Sequence, residues 1–172
     1  MVEIKQRINR TVQKRRLALP LDQAHLLCLG QSIPPGLDIM DQAVAAEVQY
    51  IGKSMELQPT AITAYLRRAF VGEDYNDGLR ITFDTDLQTR IHALTVNETA
   101  KNHHFTPLDW CIMEVKVNDA VPDWVVSLLA RHNCSLSRIS KYCAGLAFLK
   151  DIPVMPFAIA TSGNDMELTP YG

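Results

Sequence analysis

Period-two alternation with charge on one face constrains this chain more than any other feature. Glu3, Lys5 and Arg7 share one face of a first short stretch, and Tyr65 and Arg67 one face of a second. Arg80, Thr82 and Asp84 follow in a third, and Glu114 and Lys116 in a fourth. Successive side chains of a β-strand point to opposite faces, so each stretch reads as a strand with an ionic side and an apolar side. If the strands form one curved sheet, several cations converge around one or two carboxylates. Such a cluster suits a polyanion and its divalent metal, which points to phosphate chemistry.

The segments between supply the rest of a mixed α+β chain. Residues 2–16 read as two strands or one bent hairpin ending in the basic run Lys14, Arg15 and Arg16. Pro20 and Asp22 open a helix that stops at Gly30, and a loop carrying Pro34 and Pro35 follows. Asp38 or Asp41 can cap a second helix with an apolar stripe at Ala43, Val44, Ala46, Val48 and Ile51. Residues 60–70 and 79–85 read as strands joined by a turn rich in Gly, Asp and Asn. A looser alternation runs from Leu87 to Val96, and residues 110–117 form a strand with Cys111, Met113, Val115 and Val117 opposite Ile112, Glu114 and Lys116. Pro122 opens a helix through His132, and a short strand, an apolar helix and a polar tail end the chain.

At 172 residues the chain is long enough for one domain with a real core, taken as residues 1–160 with a tail at 161–172. Its formal net charge of -2 gives no general attraction to nucleic acid or anionic membrane, so basic residues matter only where they cluster. With the overall charge slightly acidic, no nucleic-acid partner is expected. The four cysteines form no CxxC pair and no signal peptide is visible, as expected of a cytoplasmic protein with reduced thiols. The longest apolar run, residues 144–160, is interrupted by Lys150, Asp151, Pro153 and Pro156, short of the roughly 20 apolar residues a membrane span needs. His103 and His104 have no carboxylate or cysteine at a metal-like spacing and read as loop surface.

An antiparallel sheet with one ionic face either turns that face to water or curls so that it lines a cavity, with helices over the apolar face. The choice of arginine favours the cavity. Lys, Glu, Ser or Gln would serve on a solvated face, whereas the guanidinium fork binds phosphate oxygens in pairs.

Four strings in this order resemble the VTC (vacuolar transporter chaperone) domain, the polyphosphate polymerase branch of the triphosphate tunnel, or CYTH-like, superfamily. They are Glu3-Ile4-Lys5-Gln6-Arg7 with Lys14-Arg15-Arg16; Tyr65-Leu66-Arg67-Arg68-Ala69-Phe70 leading to Leu79-Arg80-Ile81-Thr82-Phe83-Asp84-Thr85; Glu114-Val115-Lys116 with Pro122-Asp123-Trp124; and Ser140-Lys141-Tyr142. The resemblance implies an antiparallel sheet curled as a tunnel barrel, or part of one, with helices outside. It implies transfer of the terminal phosphate of ATP onto polyphosphate with Mn²⁺ or Mg²⁺. By motif position Lys5, Lys14, Arg67, Arg80, Arg138 and Lys141 match the family's phosphate-binding cations, Tyr65 and Ser140 its hydroxyl contacts, and Glu114 its metal carboxylate. Arg7, Arg16 and Lys116, with Glu3 and Asp84, share the parity of these positions and are second candidates, since a wall ion pair could hold any of them. If Ser140 caps the following helix, its hydroxyl and the free backbone N–H groups make an anion site beside Lys141.

Domains of this family begin with a further third of sequence that supplies part of the wall, whereas this chain starts at the Glu-Ile-Lys strand. About half of the tunnel is then expected to be missing, leaving a sheet edge that a second copy or another chain would complete. The resemblance also admits a membrane-protein partner holding the domain at the inner face of a membrane. Two other readings share the residues: a triphosphate hydrolase on the same wall, and a non-catalytic polyphosphate or nucleotide-binding module.

Overall fold

In a computed structural model, which describes residues 1–8, 11–134 and 136–152, the chain divides into two units, residues 1–59 and the part from Thr60 onward. The expected tail at 161–172 and the side chain of Arg7 lie outside the described residues.

In the first unit the opening charged stretches form a hairpin, β1 (Val2–Ile8) with β2 (Thr11–Leu17). Its register sets Glu3 opposite Arg16 and Lys5 opposite Lys14 on one face, and Val2 opposite Leu17 and Ile4 opposite Arg15 on the other. The second face meets a helix pair. Helix α1 (Leu21–Cys28) starts after Pro20, and Gly30, at φ +71°, donates its N–H to the Leu27 carbonyl (2.9 Å) in the left-handed conformation that ends helices without a Cβ penalty. Helix α2 (Ile39–Ser54) is capped by Asp38, whose side chain accepts from the Asp41 N–H at 2.8 Å. Leu17, Leu27 and Ala45 are fully buried, with Leu19, Leu37, Val44 and Val48 packed around them. Arg15 ties the hairpin to α2, its Nε donating to Glu47 Oε2 at 2.6 Å.

The second unit is built on one long central strand, β4 (Arg80–Arg90). It pairs along one edge with β3 (Ile62–Val71), and along the other with β6 (Ile112–Lys116) at residues 80–84 and β5 (His103–His104) at residues 88–89, all antiparallel. The strand expected at 79–85 and the looser alternation after it are thus largely one element. A β-bulge joins them. Ala64 pairs with Gln88 but Leu66 with Thr85, so Asp86 and Leu87 together face Tyr65, and Asp86 adopts φ +53°. The extra residue reverses the alternation: Thr82 and Asp84 are buried before the bulge, and Leu87 and Thr89 after it. In the β3–β4 connection a Cβ on Gly72 would lie 2.1 Å from the Asn76 carbonyl oxygen, so only glycine fits there.

Helix α3 (Asp123–Arg131) follows Pro122, and α4 (Lys141–Leu149) packs on β4 and β3. Ala144 joins Leu87, Phe105 and Ile112 in the core, and Gly145 lies directly over Thr89. The short strand expected before this last helix does not form among the described residues, where 136–140 is loop.

The chain is of the expected mixed α+β class with antiparallel sheets; among the described residues strand pairing is confined to a two-stranded and a four-stranded sheet, with no closed barrel. One expectation is corrected: helices were expected on the apolar face, yet α4 covers the ionic one. The bulge gives the physical reason, because it puts Leu87 on the same face as Asp84 and so offers the helix an apolar seat there. The opposite face leaves Leu66 65% and Phe70 53% exposed. No helix among the described residues is long and apolar enough to cross a membrane.

Candidate functional site

The ionic face of the four-stranded sheet is organised around Asp84. Register places Arg67 directly across from Asp84 on β3, and α4 brings Lys141, the first residue of the helix, over the same spot. Arg67 donates from Nε to Oδ1 (2.6 Å) and from Nη2 to Oδ2 (2.7 Å), and Lys141 Nζ reaches Oδ2 at 2.9 Å. The Asp84 side chain is fully buried, while Arg67 and Lys141 keep 31% and 20% exposure. The Tyr65 ring packs beneath both cations, its centroid 5.1 Å from Arg67 Cζ and 5.3 Å from Lys141 Nζ. Burial pushes the Asp84 carboxyl up, but the hydrogen bonds from Arg67 and Lys141, with their charges, outweigh it and hold the group below the usual carboxylate range. The same bond raises Arg67 further above its already high ordinary value.

On this face β6 adds Glu114, opposite Thr82, and Lys116, opposite Arg80. Lys116 Nζ lies 3.1 Å from Glu114 Oε1. Burial raises the Glu114 carboxyl, and the Lys116 hydrogen bond with the charges of Lys116, Lys141 and Arg67 brings it net below its ordinary value. Arg80 is exposed and has no ion-pair partner among the described residues. Ser140 caps α4 by accepting from the Cys143 N–H (3.3 Å), as its position allows, and Arg138 lies exposed in the loop just before it.

The structure therefore brings Tyr65, Arg67, Glu114 and Lys141 together, with Lys116 two positions from Glu114 on β6 and Arg80 four positions from Asp84 on β4. In the first unit Lys5 and Lys14 face each other across the hairpin, both exposed and without an ion-pair partner among the described residues, while Arg16 is held by Glu3 through Nε–Oε2 at 2.6 Å. The second candidates Arg16 and Lys116 are thus ion-paired, as are Glu3 and Asp84. His104 is not loop surface; it pairs in β5, with Nε2 2.7 Å from Asp86 Oδ1.

Two features exceed the sequence reading. Asp84 was legible as an inward carboxylate, but its part as the joint anchor of Arg67 and Lys141 depends on the placing of α4, which strand parity does not report. Thr82, 3% exposed, leaves its hydroxyl without a hydrogen-bond partner among the described residues. Its alternation with Arg80 and Asp84 was the available signal.

The donor set fits a metal that arrives with its ligand. No group of three or more His, Cys, Asp or Glu side chains converges among the described residues, and both oxygens of Asp84 are engaged. Glu114, 42% exposed, can supply one carboxylate to a Mn²⁺ or Mg²⁺ ion that takes its other ligands from phosphate oxygens and water.

A cluster of side-chain cations anchored on a buried carboxylate thus lies on one sheet face of an α+β protein, with the capped N-terminus of α4 at its flank. The VTC domain family model matches residues 1–150, and the chain belongs to that family. No curated protein sequence matches it.

Proposed function

We propose that the chain is a polyphosphate polymerase-type domain, acting in the cytoplasm, in which the ionic face of the four-stranded sheet forms a wall of a triphosphate tunnel. A terminal oxygen of polyphosphate attacks the γ-phosphorus of ATP, the bond from that phosphorus to the β–γ bridging oxygen breaks, and ADP leaves. Such a transfer asks little covalent chemistry of the protein and much positioning and charge neutralisation. Arg67, Lys141, Arg80 and Arg138 supply fixed positive charge, Tyr65 and Ser140 hydroxyls, and Glu114 a single ligand to Mn²⁺ or Mg²⁺ carried by the phosphates. Lys5 and Lys14 offer a further cationic surface in the first unit, with Arg7, Arg16 and Lys116 as supporting cations. The edge of β3 left unpaired among the described residues is where a second copy or another chain would extend the sheet.

The observation that carries this reading is the convergence of Arg67, Lys141 and Glu114 on one face in a VTC-family chain. Incubation with ATP, Mn²⁺ and a short polyphosphate primer should lengthen the primer on a gel. Orthophosphate release without growth would replace the polymerase by a hydrolase. Binding without turnover would leave only a polyphosphate-binding module.

A further inference from the structure

The two cations at the centre of the proposed site are already bound to a carboxylate, which raises the question of what an incoming anion does to that pair. It could displace Asp84, or it could add to the far side of the cations. Hydrogen-bond arithmetic favours addition. Guanidinium has five N–H donors, and Arg67 commits its Nε and one from Nη2 to Asp84, so Nη1 with both its protons and the second Nη2 proton remain. Lys141 commits one of three. Both side chains keep some exposure, whereas Asp84 has none. Displacement would leave a buried carboxylate without a counter-charge, which is strongly unfavourable.

We propose that Asp84 is a positioning residue of this anion site: it stays bound to Arg67 and Lys141 when phosphate binds and turns their remaining N–H groups toward the ligand oxygens. This inference rests on the anion-binding reading above. Three elements have to meet for it, β3 through Arg67, β4 through Asp84 and α4 through Lys141. The Tyr65 ring under both cations removes further rotational freedom. Two long, rotamer-rich side chains thus enter binding already ordered, and the ligand bears less of that entropy cost.

Asp84→Asn distinguishes this role from the two simpler ones. It removes a negative charge from the site, so charge alone predicts tighter binding of an anion. A merely structural role predicts a lower melting temperature with unchanged affinity in the folded protein. Positioning predicts weaker binding in spite of the lost negative charge, because the amide offers one acceptor oxygen where the carboxylate offers two and turns an N–H toward donors.

The measurement is calorimetric titration of the full chain with inorganic tripolyphosphate, on unaltered protein and Asp84→Asn, with folding checked by circular dichroism. A dissociation constant raised at least tenfold supports the proposal; an equal or lower one overturns it. If unaltered protein does not bind tripolyphosphate, the anion-binding reading fails and this inference with it. Should Asp84→Asn not fold, ¹⁵N NMR of the Arg67 Nε–H in unaltered protein decides. A signal that stays protected from solvent exchange at saturating tripolyphosphate supports retention of the pair, and its loss of protection shows displacement and overturns the proposal.

Discussion

Replacing Gly145 by alanine should destabilise the second unit, although alanine is the better helix former. The added Cβ would lie 2.9 Å from Thr89 Cβ, 3.0 Å from its Oγ1 and 3.2 Å from its Cγ2. Ordinary carbon contacts are about 3.5–4.0 Å, so α4 or β4 must shift by roughly 0.5–1 Å. Thr89 cannot swing aside, being β-branched, fully buried and on the central strand. Overpacking of this kind costs roughly 1–3 kcal/mol, and the gain in helix propensity offsets about 1 kcal/mol, leaving a net loss of about 1 kcal/mol and at most about 2. Both tryptophans, Trp110 and Trp124, belong to the second unit, so their fluorescence during urea unfolding reports on it directly. With a slope of roughly 1–2 kcal/mol per M, the midpoint should fall by roughly 0.5–1 M at unchanged slope. A midpoint equal to or above that of the unaltered protein would mean that α4 does not press on β4 at this point. Lys141 lies one helical turn before Gly145, so the same shift should weaken its contact with Asp84.

Arg67→Met leaves the buried Asp84 carboxylate with Lys141 alone and should cost roughly 2–4 kcal/mol at pH 7. Since the Asp84 pKa is depressed in the folded state, its contribution is complete above the ordinary aspartate value of about 4 and vanishes as pH falls through the depressed one. Urea titrations should therefore show the loss shrinking below about pH 4, and an equal loss at pH 3 and pH 7 contradicts the ion pair. Lys14→Ala relieves the repulsion with Lys5 across the hairpin yet should weaken tripolyphosphate binding several-fold by calorimetry; unaltered affinity shows that the hairpin cations take no part in binding. Asp38→Ala deletes the α2 cap and should cost about 1 kcal/mol, read from circular dichroism melts. Glu114→Gln should abolish the gain in tripolyphosphate affinity that Mn²⁺ confers without weakening metal-free binding, and a retained gain shows that the metal does not use this carboxylate.

Strands β1, β2, β3 and β6, the Asp38 and Ser140 caps and the ionic parity of Arg67, Asp84 and Glu114 were legible because they depend on neighbours within a few residues. What the sequence hid depends on one backbone irregularity and on the packing of α4. Nothing in a period-two pattern marks Asp86 as an extra residue, so the alternation after it read as a separate, weaker strand. The helix was read as apolar without a seat, and its natural position seemed to be the apolar sheet face. With Leu87 turned by the bulge to join Asp84, the helix instead settles on the ionic face and carries Lys141 there.

The irregularity at Asp86 also makes the central strand two-handed in what it tolerates. Deleting that one residue would leave Leu87 alone opposite Tyr65 and restore strict alternation with Leu87 and Thr89 still on the face of Asp84, whereas inserting one more residue would turn them outward and unseat the helix, while Arg67 and Asp84 could keep their own pairing. This point of the strand should therefore tolerate the loss of one residue better than the gain of one, and natural variants ought either to keep the bulge or to run straight through it.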